Sequence, residues 1–299
     1  MSLLVVGSVA LDTVKTPFGK HNDILGGSAV YFGVCAAHFT KVNLVAVVGR
    51  DFPKKHTSLL RSKGIDLRGL EVAPGKTFRW DGEYGWDFSD AKTNSTHLNV
   101  FADFQPKIPD EYKSSKYLFL ANIDPTLQEN VLDQVKGAKL VACDTMNFWI
   151  ETKRKQLLKL LKKIDLFFLN ESEARLLSGE KSILKAAAAV LKMGPKRIII
   201  KKGEHGSLMF SKGKIFSVPA SLLDSVVDPT GAGDTFAGGV MGYLTECGSL
   251  SESSFRTAIT YGGVMATFAV EDFSLNRLKK VTKSDIAKRL KRFKSLTCF

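Results

Sequence analysis

A chain of 299 residues, 44% hydrophobic and with a formal net charge of +13, has room for one large α/β domain or two small ones. No apolar run approaches the roughly 20 residues that a membrane-spanning helix needs. The opening Met-Ser-Leu-Leu-Val-Val-Gly lacks the basic region that precedes the apolar stretch of a secretory signal, so it reads as a first strand.

The four cysteines, Cys35, Cys143, Cys247 and Cys298, are far apart and form no CxxC pair or zinc spacing. Buried structural thiols in a reducing, cytoplasmic setting are the expectation. The basic charge falls mainly on residues 153–163 and 279–294. There Leu157, Leu160, Leu161 and Ile164, and then Ile286, Leu290 and Phe293, recur at helical spacing. Solvated basic helix faces account for that pattern better than a nucleic-acid partner does. They would also draw in anionic phosphates.

Taken in chain order, apolar runs at 3–6, 44–48, 117–121, 140–143, 166–169 and 197–201 predict strands buried on both faces. Helical patterns at 28–39, 56–62, 128–134, 152–163 and 182–192 lie between them. Such alternation predicts an α/β fold with a doubly wound, mostly parallel sheet covered by helices on both sides, a three-layer αβα domain spanning 1–299. Two stretches break the rhythm. Residues 12–25, with Pro17 and Gly19, suggest a hairpin. Residues 69–101 carry strand-like pieces at 77–84 and 97–101 with no helix between them. Together they suggest a small β-sheet lid, or a plain surface excursion. Further on, 207–210 and 214–218 flank Ser-Lys-Gly, a hairpin signal, and helices follow over 233–246 and 251–268.

The densest chemistry lies in Asp228-Pro229-Thr230-Gly231-Ala232-Gly233-Asp234-Thr235-Phe236, a tight turn entering a helix. Small residues at Gly231, Ala232 and Gly233 let a ligand approach the backbone, and amides at a helix N-terminus favour an anion. A carboxylate there is a poor anion ligand but a good proton acceptor for a hydroxyl held beside a phosphate. Asp234 next to such an anion hole would thus supply both a base and positive dipoles for phosphoryl transfer. Read alone, the same pattern also suits a plain helix cap.

The string as a whole resembles the C-terminal signature of the PfkB, or ribokinase-like, family of carbohydrate and nucleoside kinases, and the resemblance runs over nearly the whole chain. It implies a ribokinase-like fold and an ATP-dependent phosphotransferase acting on an alcohol group of a sugar, polyol or nucleoside, with Asp234 as catalytic base. It further implies that Asp12, Gly26, Gly27 and Ser28 border the acceptor. Tyr31 stands near the position where relatives commonly carry an asparagine. Asn170 and Glu173 match an NxxE motif that would organise Mg2+ through water, although Asn-x-x-Glu is also a capping-box pattern. Lys201, Gly203 and Gly206 resemble the nucleotide loop, while Lys202 and His205 read as surface residues. Asp144 and Asn147 match positions near the ligands. Asp228 and Thr230 match a monovalent-cation site, so K+ is an expected activator. A homodimer through the lid is also implied.

Other phosphate and hydrolase motifs are missing. Gly75-Lys76-Thr77 carries the tail of a P-loop, but Leu70 stands where its first glycine belongs, and Phe236 replaces the third glycine of a dinucleotide fingerprint. Phe78, Trp80, Tyr84, Trp86 and Phe88 could stack on a nucleobase, pack the lid or form a dimer surface. A nucleoside kinase is thus the alternative to a sugar kinase. A non-catalytic ligand or nucleic-acid binder is the reading from another class.

Overall fold

The structure, a computed structural model, describes residues 2–88 and 91–297; Cys298 lies outside them. The chain opens with β1 (Ser2–Val6), leaves it for a hairpin of β2 (Ala10–Thr16) and β3 (Gly19–Gly26), and returns through α1 (Ser28–Ala36) to β4 (Lys41–Gly49). Helix α2 (Lys54–Ser62) leads to β5 (Ile65–Ala73), and then β6 (Phe78–Glu83) and β7 (Lys92–His97) rejoin the hairpin. Strand β8 (Tyr117–Leu120), helix α3 (Pro125–Gln134) and strand β9 (Leu140–Cys143) follow. Next come α4 (Asn147–Thr152), α5 (Arg154–Leu161) and β10 (Leu166–Asn170). Helices α6 (Glu171–Ser178) and α7 (Ile183–Lys192) precede β11 (Arg197–Lys201) and the hairpin β12 (Ser207–Ser211) and β13 (Lys214–Val218). Helices α8 (Ala232–Cys247), α9 (Glu252–Val270) and α10 (Lys283–Thr297) close the chain.

Nine strands form one sheet in the order β13-β12-β11-β10-β9-β8-β1-β4-β5, antiparallel only at the β11–β12–β13 end. Its central strands are apolar throughout because both faces are covered, as a parallel sheet requires. Successive residues serve opposite layers. Leu3 and Val5 join Phe119 and Phe168 under α1, α8 and α9. Leu4 and Val6 join Leu118 and Leu120 under α3, α5 and α7. An aromatic run crosses the first layer: the Phe32 and Phe119 rings stack at 3.9 Å, Phe119 and Phe168 meet edge-on at 5.9 Å, and Phe168 and Phe236 at 6.3 Å. It ties α1 and α8, whose N-terminal ends carry the two glycine-rich turns, to one rigid floor.

The second sheet, β3-β2-β6-β7, has four strands, with β2 and β6 parallel and the outer pairs antiparallel. Its strand β7 is largely exposed, which explains the polar sequence that hid it from a periodicity reading. The stem of this sheet is fastened at Asp51, just beyond β4. The Asp51 carboxylate accepts from the Thr77 amide and hydroxyl, both at 2.7 Å, and from the Arg79 guanidinium at 2.8 Å.

Several boundaries differ from the sequence reading. Residues 69–73 continue β5, paired with β4 from Val45–Gly69 to Gly49–Ala73, so the small sheet takes up the chain at Phe78. Residues 99–101 form a 3-10 turn rather than a strand. The helix expected at 152–163 is α5, and a separate short helix, α4, precedes it and ends at Thr152. Helix α6, eight residues capped by Asn170, is not among the helices that the sequence pattern predicts. Among the described residues no helix is long and apolar enough to cross a membrane.

Helices α8 and α9 cross closely because glycines meet: a Cβ on Gly239 would lie 2.9 Å from the Gly262 Cα, and one on Gly262 only 2.8 Å from the Phe236 carbonyl. Gly262→Val should therefore destabilise the chain by about 2–3 kcal/mol through overpacking. Urea denaturation would register a lower midpoint at unchanged slope; an unchanged midpoint would remove these glycines from the account of the crossing.

Candidate active site

The C-terminal edges of the central strands face the head of α8, and the loop that enters this helix is held from behind. The Val227 and Asp228 amides donate to the Val270 carbonyl at 2.8 and 3.3 Å. The Asp228 carboxylate, fully buried, accepts from the Thr230 amide at 2.9 Å and the Ser274 amide at 3.0 Å. Gly231, at φ 74, caps the helix. No other residue fits there, since a Cβ would come within 2.3 Å of the Tyr31 ring. The Ala232 amide closes the turn onto the Pro229 carbonyl. The Gly233 amide lies in the first helical turn, where no intrahelical acceptor exists. Asp234 follows it, one residue deeper.

The side where the sequence resemblance expects an acceptor is built from the exit of β1 and the turn into α1. Ser8 and Ser28 bond reciprocally, each backbone amide donating to the other's hydroxyl at 3.3 and 3.0 Å, so the Ser28 hydroxyl is committed inside the protein. Gly27 adopts φ 98 with its Cα against the Ser8 carbonyl. The Asp12 carboxylate lies directly on Gly26, where a Cβ would fall 1.8 Å from its Oδ2. Tyr31 is buried and presses its ring under Gly231. It thus supports the glycine-rich turn at Gly231 from below instead of lining an open cleft.

On the other flank, Asn170 ends β10 and caps α6. Its Oδ1 accepts from the Glu173 amide at 2.7 Å, while Glu173 Oε2 accepts from the Asn170 amide at 2.6 Å. The capping box foreseen as the plain reading is therefore present. Lys201, at the end of β11, pairs with Asp144 at 2.8 Å, with the two side chains only 18% and 5% exposed. Beyond it, the Lys202 amide donates to the Gly206 carbonyl at 2.8 Å. Gly206, at φ 83, leaves no room for a Cβ against the Val218 carbonyl. Gly203 is open to solvent, His205 is exposed, and so is Asn147.

Across this floor the carboxyls affect one another. Burial, then the charge of Asp228, pushes the Asp12 pKa up to about 8. Asp234 keeps part of its surface open to the cleft, yet protein crowds its carboxyl. Desolvation and the nearby Asp144 raise it to about 7, against the pull of Lys201 and of its own amide. Desolvation also raises Asp228. Burial disfavours the Lys201 ammonium, but Asp144, Glu173 and Asp234 outweigh it and the pKa rises.

A model of the pfkB family carbohydrate kinases matches residues 24–280. The chain belongs to this family. A cytidine kinase of Thermococcus kodakarensis is 32% identical over 275 residues, 88% of this chain and 98% of that protein. The nucleoside kinase of Methanocaldococcus jannaschii is 23% identical over 92% of this chain and 96% of its own length. Its crystal structure superposes with a TM-score of 0.78 over 97% of this chain and 98% of that one, at 20% identity. An Escherichia coli protein of the ribokinase II type, solved with ATP and Mg2+, has a TM-score of 0.81 at 19% identity, covering 97% and 99%. These likenesses establish the ribokinase-like fold of the pfkB chain, a large sheet with a smaller one beside it.

The structure of this pfkB-family protein also tests the fit of the expected metals. Among its described residues no cluster of three or more His, Cys, Asp or Glu could hold a metal ion. Mg2+ keeps much of its hydration and needs only one or two protein ligands when phosphates supply the rest, so Glu173 and Asn170 fit that role. Asp228 fits a weakly hydrated cation. Its carboxylate is buried and held by the backbone amides of Thr230 and Ser274.

Three features escaped the sequence reading. Ser8 has no motif to reveal its bond to Ser28. The Lys201–Asp144 pair joins residues 57 apart. Tyr84, named in sequence only as a lid aromatic, brings its hydroxyl to 3.4 Å from Thr230 Oγ1. Burial and the carboxylates Asp228, Asp12 and Asp234 raise its phenol to about 12, which keeps it a neutral hydrogen-bond donor.

Asp12 provides a pH test. The folded state holds its proton up to about pH 8 while the unfolded chain releases it near 3.8. Between those values the native state binds more protons, so stability falls as pH rises. Asp12→Asn removes that penalty. Its melting temperature should exceed wild type by on the order of 10 °C at pH 8.5 and converge with it near pH 4. A difference that does not vary with pH would contradict the burial of this charge.

Proposed function

We propose that the chain transfers the γ-phosphoryl group of ATP to a hydroxyl of a nucleoside, with Asp234 as general base. The observation that carries this reading is a crowded carboxyl at the head of α8, directly after the glycine-lined anion turn. Kinases of the pfkB family act on alcohol groups of sugars or nucleosides. The choice of a nucleoside rests on relatives that match along nearly their whole length, a cytidine kinase and a nucleoside kinase. A free pentose is the second reading, favoured by the carbohydrate-kinase family description.

The chemistry follows from the residues in place. Asp12, mostly protonated near neutrality, can both give and accept hydrogen bonds with acceptor hydroxyls alongside the Gly26 and Gly27 backbone. Asp234 receives the acceptor proton as the oxygen attacks phosphorus. The Gly231, Ala232 and Gly233 turn and the dipole of α8 stabilise charge on the phosphoryl oxygens. Lys201 and the loop at Gly203 and Gly206 border the nucleotide. The small sheet shields the reacting groups from water. Asn170 and Glu173 would hold Mg2+ through its waters, and the ion would neutralise phosphate charge. Asp228 and Thr230 would hold K+ behind the anion turn.

Two wider readings belong to the same proposal. Cys35, Cys143 and Cys247 are free thiols, which suits a cytoplasmic enzyme. At the lid tip Phe18 and Trp86 are 52% and 78% exposed, with rings 6.1 Å apart. That patch suits a homodimer joined through the lids, which sedimentation velocity would detect.

The direct test is ADP release with cytidine, other ribonucleosides and free pentoses, with mass spectrometry of the product. Asp234→Asn should lower kcat by about 10²–10⁴-fold with little change in ATP affinity. Wild-type kcat should rise with pH through a midpoint near 7, where Asp234 loses its proton. Near-normal turnover by the variant would overturn the assignment. Turnover should also be higher in potassium than in sodium; equal rates would remove the cation from the proposal.

A further inference from the structure

We infer that Lys201 is a catalytic residue of the transfer step, a fixed cation at the head of α8 that meets the migrating phosphoryl group, and that Asp144 is its positioning residue. The inference rests on the function proposed above and assigns this lysine a role beyond bordering the nucleotide.

The geometry places the ammonium where charge develops. A Cβ on Gly233 would lie 3.1 Å from Lys201 Nζ, so the ammonium rests against the first turn of α8 and the glycine is what leaves room for it. An anion received by the Gly231 and Gly233 backbone would therefore have Lys201 as a neighbour. The side chain does not roam. It is 18% exposed, and Asp144, itself 5% exposed, grips it at 2.8 Å. Asp144 is held in turn: its Oδ1 accepts from the Thr145 amide at 2.9 Å, and its carbonyl accepts from the buried Gln128 side chain at 3.1 Å. That same amide group binds the Leu120 and Ala121 carbonyls, which locks the ends of β8 and β9 together. A buried ion pair contributes little net stability, whereas a preorganised ammonium beside a transferring phosphoryl stabilises the transition state directly.

One Asp144 oxygen occupies one of the three ammonium N–H donors, leaving others for phosphoryl oxygens. In the step itself the acceptor O–H proton passes to Asp234 and the new O–P bond forms. The bond from phosphorus to the bridging oxygen breaks, its electron pair leaving with ADP. Lys201 donates hydrogen bonds throughout and keeps its proton. The same position couples it to the base. Asp234 is faced by Asp144 from the end of β9, Lys201 from β11, Asp12 from β2 and the Tyr84 phenol from the lid. Glu173 on α6 acts on Lys201. Lys201 and Asp144 thus act on Asp234 with opposite signs.

The test compares wild type with Lys201→Met, Lys201→Arg, Asp144→Asn and the Lys201→Met/Asp144→Asn double variant, using ADP release with cytidine and with ribose across pH. Lys201→Met should lower kcat by about 100-fold while the KM for ATP changes by less than about threefold. Lys201→Arg, which keeps the charge, should recover at least about tenfold of that loss. Because Lys201→Met strands the Asp144 carboxylate, the double variant, which removes both charges, must show the same loss of kcat. The Asp234 carboxyl is followed separately by carbon NMR titration, assigned with Asp234→Asn. Its midpoint should move to higher pH in Lys201→Met and to lower pH in Asp144→Asn. An increase in the KM for ATP alone would reduce Lys201 to a nucleotide contact and overturn the inference. An Asp234 titration indifferent to both substitutions would overturn it as well, whether or not wild type turns over. A wild-type protein inactive on every acceptor, yet showing the opposed shifts, would instead count against the proposed function.

Discussion

Asp12 feels the charges of both Asp228 and Asp234, and all three carboxyls are desolvated; the rest of the site answers that constraint. Three carboxylates in a poorly hydrated space cannot all ionise freely, because desolvation and mutual repulsion both oppose it. The chain resolves the conflict differently at each one. Asp228 is stitched to backbone amides of Thr230 and Ser274. Asp12 is shifted toward its protonated form. Asp234 lies between the repulsion of Asp144 and the attraction of Lys201, which leaves it poised near neutrality. A general base needs such a balance: a fully stabilised carboxylate would be too weak a proton acceptor.

Holding these groups at fixed separations requires a stiff support, and the large sheet supplies it. Its parallel strands end on one edge, where Asp144 just past β9, Lys201 at the end of β11 and the head of α8 meet Asp12 from β2 of the small sheet, although all are distant in sequence. Both faces are packed by separate apolar layers, so no strand can shift without disturbing a close-packed core. The backbone contacts at Gly26, Gly27, Gly231 and Gly233 follow the same logic. Gly26 and Gly233 bring main chain against Asp12 and Lys201, Gly231 against the Tyr31 ring, and Gly27 against the Ser8 backbone.

The small sheet is a different kind of object. It is polar, its outer strand is exposed, and its stem is held by the Asp51 bonds to Thr77 and Arg79. It enters the site through Asp12 on β2 and through Tyr84, whose hydroxyl lies 3.4 Å from Thr230 Oγ1. In that long contact the Thr230 hydroxyl donates and the phenol oxygen accepts, so the phenol proton is not committed to Thr230. A rigid floor and a lightly attached cover together suit a reaction that must admit a ligand and then exclude water.

Much was determined by the amino-acid sequence alone. The apolar runs of the central strands, the two glycine-rich turns and the Asp228-to-Asp234 string each carry their signal in adjacent residues, so the fold class and Asp234 were legible without coordinates. Local ambiguity remained where a pattern served two purposes. Asn170 and Glu173 form the capping box that the sequence also allowed. Tyr31, read as an acceptor-side residue, turned out to lie beneath Gly231, because nothing in a sequence tells which way a helical side chain faces before its neighbours are known. Only the tertiary structure decided the pairing of Lys201 with Asp144, the bond between Ser8 and Ser28, the continuation of β5 through residues 69–73 and the reach of Tyr84. These depend on which strand ends become neighbours, and Coulomb energy and hydrogen bonding respond to distance in space rather than to separation along the chain.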